Sequence, residues 1–110
     1  MIENVLWSKR AEWSYGRIIG YIADSFGRTR AKQYARIVYR EVNQLKTNPG
    51  LGQEEPLLAG ARYEFRRLVI EDLTKIIYRV TDNSIEIVDV WDTRQNAEDL
   101  AARLITFPTN

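Results

Sequence analysis

The sequence predicts an α+β domain in which a two-helix hairpin packs on one face of a twisted antiparallel sheet. Apolar residues recur at helical spacing in two segments within residues 8–45, whereas residues 63–91 hold three successive strand patterns. Helices and strands are therefore segregated along the chain, as in α+β proteins. The length of 110 residues and the apolar fraction of 45% fit one globular domain, residues 1–110.

The N-terminal half begins with a short apolar stretch, Asn4–Trp7, that is long enough for a strand. Ser8 can cap the following helix through its hydroxyl, and the apolar stripe after it extends to Phe26. A second helical stripe starts near Thr29 and ends at Leu45, before Asn48-Pro49-Gly50. Because only Gly27-Arg28 separates the two stripes, we expect an antiparallel helical hairpin.

Two glycines, Gly16 and Gly20, lie four residues apart inside the first helix. Each is unfavourable there by about 1 kcal/mol relative to alanine. They share one face of the helix, so we expect another backbone to approach closely at that face. Tolerated weak helix positions are the alternative.

The second half predicts a loop followed by three antiparallel strands. Residues 48–61 contain two Pro and three Gly without a clean period, as in a functional or mobile loop. Strands are expected at Tyr63–Leu68, Thr74–Val80 and Ser84–Trp91, with a turn at Asp82-Asn83 and a short C-terminal helix at Asn96–Leu104. The helices should cover one face of the sheet and leave the other for partners. The core should include Ile18, Ile22, Val38, Val42, Ile76 and Tyr78.

Composition excludes several kinds of chemistry. The chain has neither cysteine nor histidine, so thiolate nucleophiles, cysteine-ligated metals and histidine acid–base catalysis are absent. We expect no cofactor and no metal. No apolar run reaches the roughly 18 residues of a membrane span, and Met1–Arg10 lacks a signal-peptide layout. A cytoplasmic location without membrane association is therefore expected.

The net charge of +1 conceals an uneven distribution. Residues 1–47 carry nine Lys or Arg and four Asp or Glu, whereas residues 80–110 carry two basic and six acidic residues. On the second helix Lys32, Arg36 and Arg40 lie four residues apart and form a continuous basic row. The charge asymmetry can signal a polyanion or an acidic partner, with two solvated faces of opposite sign as the alternative. The row itself is typical of the solvated face of an amphipathic helix, with a binding site for such a partner as the other interpretation.

Basic residues in the strand half offer a possible phosphate site. In a hairpin of the first two predicted strands Arg67 and Lys75 can share a face and converge. Without histidine, RNA cleavage would need a Glu or Tyr base, and Lys or Arg to stabilise charge and protonate the leaving group. Ordinary surface charges on an antiparallel sheet are the alternative.

Three segments carry a resemblance to a known family: Phe65–Leu68, Lys75–Val80 and Ile85–Asn96. Together with the Trp7-Ser8 step into the first helix, they resemble the RelE/ParE superfamily of toxins from type II toxin–antitoxin (plasmid stabilisation) modules. The resemblance covers almost the whole chain. It implies a small cytoplasmic toxin in a hetero-oligomer with its cognate antitoxin. Some members cleave mRNA on the ribosome, and others poison DNA gyrase.

The ParE-like branch is favoured because of the long helical hairpin and the Asp92–Asn96 segment. Val69 and Leu100 also replace an Arg and a Tyr expected in RNA-cleaving members. The resemblance then implies a protein-binding inhibitor of DNA gyrase that has no catalytic residues. The alternative is a RelE-like mRNA endonuclease that acts on the ribosome, and a second alternative is a degenerate, non-toxic member that still binds its antitoxin. The candidate catalytic residues, if RNA is cleaved, are Glu55, Arg67, Lys75 and Arg94. The candidate residues for binding antitoxin or target are Lys32, Arg36, Arg40 and Arg94.

Overall fold

Two long helices and a five-stranded sheet form the protein, whose computed structural model describes residues 2–96, 98 and 100–102. The elements in chain order are β1 (Asn4–Trp7), α1 (Lys9–Phe26), α2 (Arg28–Asn43), β2 (Gln53–Glu54), β3 (Arg66–Ile70), β4 (Thr74–Val80) and β5 (Ser84–Asp92). Single 3₁₀ turns lie at Gln44–Lys46 and Pro56–Leu58. Within the described residues, neither α1 nor α2 is long and apolar enough to cross a membrane.

The sheet has the order β1-β5-β4-β3-β2 and is antiparallel except for the parallel pair β1–β5. The predicted meander is confirmed, with β4 at its predicted bounds and β5 one residue longer. Strand β3 covers Arg66–Ile70, not Tyr63–Leu68, because pairing with β4 begins at Arg66. The two-residue β2 was not predicted, since a pair of residues is too short to show alternation.

The helices form as their capping and apolar patterns predict. The Ser8 hydroxyl accepts a hydrogen bond from the Ala11 N–H at 2.9 Å, so it caps α1. The same hydroxyl donates to the Val88 carbonyl at 2.8 Å and ties the start of α1 to β5. Helix α2 ends at Asn43. Leu45 lies in the 3₁₀ turn that follows, and its side chain is buried. All six predicted core residues lie in one buried cluster between the helices and the sheet.

The opposite face of the sheet is partly covered, which corrects the expectation that it remains free. Alternation along the strands places Ile77 and Trp91 on this face. A second buried cluster forms around them from the loop before β3 and the C-terminal segment: Leu58, Phe65, Leu100 and Ala101. Residues 98 and 100–102 are helical, as predicted, whereas the predicted end at Leu104 lies outside the described residues.

The two glycines of α1 contact no other backbone among the residues that the structure describes, which corrects a second expectation. Gly16 and Gly20 are exposed, and a Cβ added at either would meet no atom within 4 Å outside the helix's own backbone. Alanine at these positions therefore adds helix propensity without a steric clash.

We predict that Gly16→Ala and Gly20→Ala each stabilise the fold by about 0.5–1 kcal/mol. The gain arises because alanine loses less backbone entropy than glycine when a helix forms. Urea unfolding of the single variants and of the double variant measures it. Unchanged or lower stability in both single variants would contradict the open environment of this face.

Candidate functional site

Glu55, Arg67 and Lys75 come together on the sheet face opposite the helices. Glu55 follows β2, and its N–H donates to the Phe65 carbonyl at 2.9 Å, which holds it beside β3. Its side chain is buried, with one carboxylate oxygen 3.4 Å from the Arg67 guanidinium and the other 3.4 Å from the Lys75 ammonium. The predicted convergence of Arg67 and Lys75 is confirmed.

The segment before Glu55 is fixed by the buried hydroxyl of Tyr78. That hydroxyl accepts from the Gly52 N–H and donates to the Pro49 carbonyl, both at 2.9 Å. Position 52 requires glycine because a Cβ there would clash with the Arg67 carbonyl and the Tyr78 ring. This part of the long loop is therefore attached to the sheet, and Glu55 has a defined position.

The position of Glu55 is poorly suited to a general base. A base must come within about 2.6–3.2 Å of the proton that it abstracts. The Glu55 side chain has no exposed surface, and its two oxygens already face cations. One of them also accepts from the Leu57 N–H at 3.3 Å. The cluster is thus a buried carboxylate neutralised by two partly exposed cations.

Arg94 lies on the helix side of the sheet, just beyond β5. Its backbone is positioned by Thr93, whose N–H and hydroxyl donate to the carbonyls of Leu73 and Asp72 at 2.9 and 2.8 Å. The Arg94 Nε and Nη2 atoms donate to the two carboxylate oxygens of Asp92 at 2.9 and 2.5 Å. Its guanidinium stacks 3.9 Å above the ring of Tyr21 on α1.

The four candidate catalytic residues therefore do not form one site. Lys75 and Arg67 project from the face opposite the helices, whereas Arg94 packs against α1. The reason is alternation: Thr74, which pairs with Asp92, is contacted by Tyr34 from α2, so Lys75 next to it faces the other way. Arg94 also forms an ion pair with Asp92, so part of its role is structural.

A cleft of about 340 Å³ lies between α1 and the end of β5. Trp13, Arg17, Tyr21 and Arg94 contribute to its walls. Trp13 is 61% exposed, and the Arg17 guanidinium lies 5.0 Å from its ring centre. Two aromatic rings, each with a stacked arginine, thus face solvent together. Trp13 and Tyr21 were not predicted as site residues, although the spacing of Trp13, Arg17 and Tyr21, four residues apart, places them on one face of α1.

Asp89 binds two residues that line this cleft, Arg10 and Ser14. It was also not predicted as a site residue. It is buried, and its carboxylate accepts from Arg10 Nε at 3.0 Å, the Ser14 hydroxyl at 2.8 Å and the Trp91 indole at 3.0 Å. The Val90 N–H donates to the same carboxylate at 2.8 Å. A β-bulge with Val88 as the extra residue precedes it. Asp89 therefore attaches α1 to β5.

The basic row lies on the exposed side of α2. Lys32, Arg36 and Arg40 are all exposed, as the helical spacing predicts. Arg40 lies 3.7 Å from Glu41, and this is the only ion pair of the three within the described ranges. The row is accessible to a partner along two turns of helix.

The ion pair with Arg94 lowers the pKa of Asp92 below its usual 3.8, mainly through the side-chain hydrogen bond from Arg94. This carboxylate stabilises the fold above pH 3.8, and the contribution is lost as pH falls through the lowered pKa. We predict that Arg94→Ala returns the Asp92 pKa toward its usual value. A carboxyl NMR titration of both proteins measures it, and equal midpoints would contradict the pairing.

Comparisons with known proteins identify the family. The family model described as "ParE toxin of type II toxin-antitoxin system, parDE" matches residues 5–97. A solved structure described as "Chromosomal ParDE TA system from P. aeruginosa" is 20% identical, covers 86% of this chain and 98% of its own, and has a TM-score of 0.66. At this identity the likeness shows the fold. The search of curated proteins gave no match. Because the family model spans nearly the whole chain, the protein belongs to the ParE toxin family and is the toxin component of a type II toxin–antitoxin system.

Proposed function

We propose that this toxin inhibits DNA gyrase by binding it, without catalysing a reaction of its own. The observation that carries the proposal is the separation of the candidate catalytic groups. Glu55 is closed off between Arg67 and Lys75, and Arg94 lies across the sheet from them. Membership of the ParE family supports the same conclusion. Because gyrase acts on chromosomal DNA, the proposal places the toxin's action in the cytoplasm.

We assign the contact with gyrase to the cleft between α1 and Arg94. Exposed tryptophan, tyrosine and arginine side chains are enriched among the residues that dominate protein–protein binding energy. Trp13 and Tyr21 would insert into the target, while Arg17 and Arg94 would pair with its carboxylates or backbone carbonyls. Asp92 pre-orients Arg94, so little side-chain entropy is lost on binding.

Induction of the toxin in a bacterial host tests the proposal. DNA breaks and an SOS response should appear before translation declines, and mRNA should remain uncleaved. Co-expression of the cognate antitoxin is the control, and it should suppress both the DNA breaks and the SOS response. Translation arrest with cleaved mRNA and no SOS response would favour the nuclease. Normal growth of a strain that accumulates folded toxin would instead indicate a degenerate member.

The ribosome-dependent endonuclease remains the second candidate because one observation favours it. Glu55, Arg67 and Lys75 do converge, and each of the two cations is partly exposed. The toxicity of Glu55→Gln separates the two candidates.

The cognate antitoxin is the second partner, and we propose that it binds along α2. A groove of about 270 Å³ lies between β1 and α2, with Val5, Trp7, Tyr39 and Val42 in its walls. The apolar side of an amphipathic helix fits such a groove. Acidic residues on its flank would then meet the basic row at Arg36 and Arg40.

We predict that Arg36→Glu or Arg40→Glu speeds dissociation of the antitoxin by roughly 5–30-fold, the equivalent of about 1–2 kcal/mol. Each charge reversal removes the attraction between the arginine and an acidic residue of the antitoxin, and it adds a repulsion of similar size. Surface plasmon resonance of the co-purified complex measures the rate. Arg62→Glu, the same charge reversal at another exposed arginine, in the loop before β3, is the control. Unchanged rates for both row variants would exclude the row from this interface.

A further inference from the structure

The exposed side of α2 has an unusual composition. Of its eight exposed residues four are cations, namely Arg28, Lys32, Arg36 and Arg40, and none is a carboxylate. The ten exposed residues of α1 hold two cations and two carboxylates. Exposed helix surfaces usually carry charges of both signs, as the exposed residues of α1 do. The two helices of the hairpin therefore present different surfaces.

The basic row also weakens the helix that carries it. Lys32, Arg36 and Arg40 form two like-charged pairs at a spacing of four residues, which repel each other. Lys32 and Arg36 make no ion pair or ring contact with any part of the chain that the structure describes. An external anion would relieve this repulsion and supply the missing partners.

Outside the groove beside β1, the exposed face of α2 that carries the basic row suits a polyanion better than an apolar protein patch. Protein interfaces have an apolar centre, whereas the only large apolar side chain exposed on α2 is Tyr39. At a rise of about 1.5 Å per residue, successive cations of the row are about 6 Å apart and span about 12 Å. Duplex DNA carries one negative charge per roughly 1.7 Å of its axis, so the row can meet several phosphates together. Tyr39 is 75% exposed beside Arg36, and its hydroxyl can donate to a phosphate.

We propose that Lys32, Arg36 and Arg40 bind the phosphate backbone of the duplex DNA that gyrase holds, without reading its sequence. This inference rests on the proposed function. The α1 cleft then contacts the enzyme, and the outer face of α2 contacts its DNA. With a net charge of only +1, the free toxin binds DNA weakly. Docking on gyrase raises the local DNA concentration and makes the contact effective. An antitoxin bound along α2 would block it by competition.

Fluorescence anisotropy of the purified toxin with a short labelled DNA duplex tests the contact directly. Three phosphate contacts predict a slope of about −2.7 for log K against log salt concentration. Each of Lys32→Gln, Arg36→Gln and Arg40→Gln should reduce the slope by about 0.9, and the triple variant should bind little. Arg62→Gln, which removes an exposed cation elsewhere, should keep the parent slope.

The triple variant should fold, since it loses two repulsive pairs, and a thermal melt at or above the parent temperature confirms this. Parent-like DNA binding by the folded triple variant would overturn the inference. So would an absence of DNA binding by the parent at low salt, or a preference for an RNA duplex. A folded triple variant that loses antitoxin binding but keeps DNA binding would identify the row as a protein site only. This result would also overturn the inference.

Gyrase assays separate this inference from the proposed function. If both hold, the parent inhibits supercoiling, and the triple variant needs at least about tenfold more protein for the same inhibition. Equal inhibition by parent and triple variant would overturn the DNA contact and leave gyrase as the target. DNA binding through the row without gyrase inhibition would overturn the proposed function, and with it the assignment of the bound DNA to gyrase.

Discussion

Arg94→Ala should abolish growth arrest on induction, whereas Glu55→Gln should leave it intact. Truncation of a central arginine in a protein interface costs about 2–4 kcal/mol, or roughly 30–1,000-fold in affinity. Arg94 is suited to this role because Asp92 and Tyr21 hold its guanidinium at the mouth of the cleft. Glu55 lies across the sheet, buried away from that cleft, so a gyrase contact makes no use of it.

Controls separate the loss of a contact from a loss of folding. Thermal melts should show that both variants fold, and Arg62→Ala, an exposed arginine outside the cleft, should arrest growth as the parent does. Arg94→Lys should restore only part of the toxicity, because lysine keeps the charge but not the planar stacking on Tyr21. A folded Arg94→Ala protein as toxic as the parent would remove Arg94 from the target site. Lost toxicity in Glu55→Gln would favour the nuclease.

Asp89→Ala should destabilise the fold by about 3–5 kcal/mol, a large share of the stability of a domain of this size. The carboxylate accepts four hydrogen bonds at a buried position, from Arg10, Ser14, Val90 and Trp91. Alanine leaves the Trp91 indole and the Ser14 hydroxyl without their acceptor. Urea unfolding monitored by tryptophan fluorescence measures the loss.

Two further variants calibrate that loss. Asp89→Asn keeps one acceptor oxygen, so it should cost less than alanine. Asp24→Ala removes an exposed carboxylate of α1 and should change stability by no more than about 0.5 kcal/mol. A cost below about 1 kcal/mol for Asp89→Ala would show that the network does not hold α1 against β5.

Local sequence patterns predict much of the fold because its helices and central strands follow local rules. The Ser8 cap marks the start of α1, and the two apolar stripes and the alternation in Thr74–Val80 report directly on burial. The parallel pairing of β1 with β5 depends on contacts between chain ends, which no local pattern contains. The covered second face depends on the packing of the C-terminal segment on Trp91, which is also a long-range contact.

The candidate site is predictable only in part for the same reason. Arg67 and Lys75 converge because strand alternation places both on one face. The burial of Glu55 depends on the hydrogen bond from the Gly52 N–H to the Tyr78 hydroxyl, which holds the loop on the sheet. The amino-acid composition of the loop does not reveal this contact. Asp89 interrupts an apolar strand, and that interruption is a usable signal for a buried polar network.

The central claim is that this toxin acts by binding gyrase, and a supercoiling assay with purified proteins tests it most directly. The parent and Glu55→Gln should inhibit gyrase at the same concentration and accumulate cleaved DNA, while Arg94→Ala should be at least about thirtyfold weaker. None of the three should cleave mRNA on translating ribosomes. Unimpaired supercoiling in the presence of excess parent toxin, together with ribosomal mRNA cleavage that Glu55→Gln abolishes, would contradict the account.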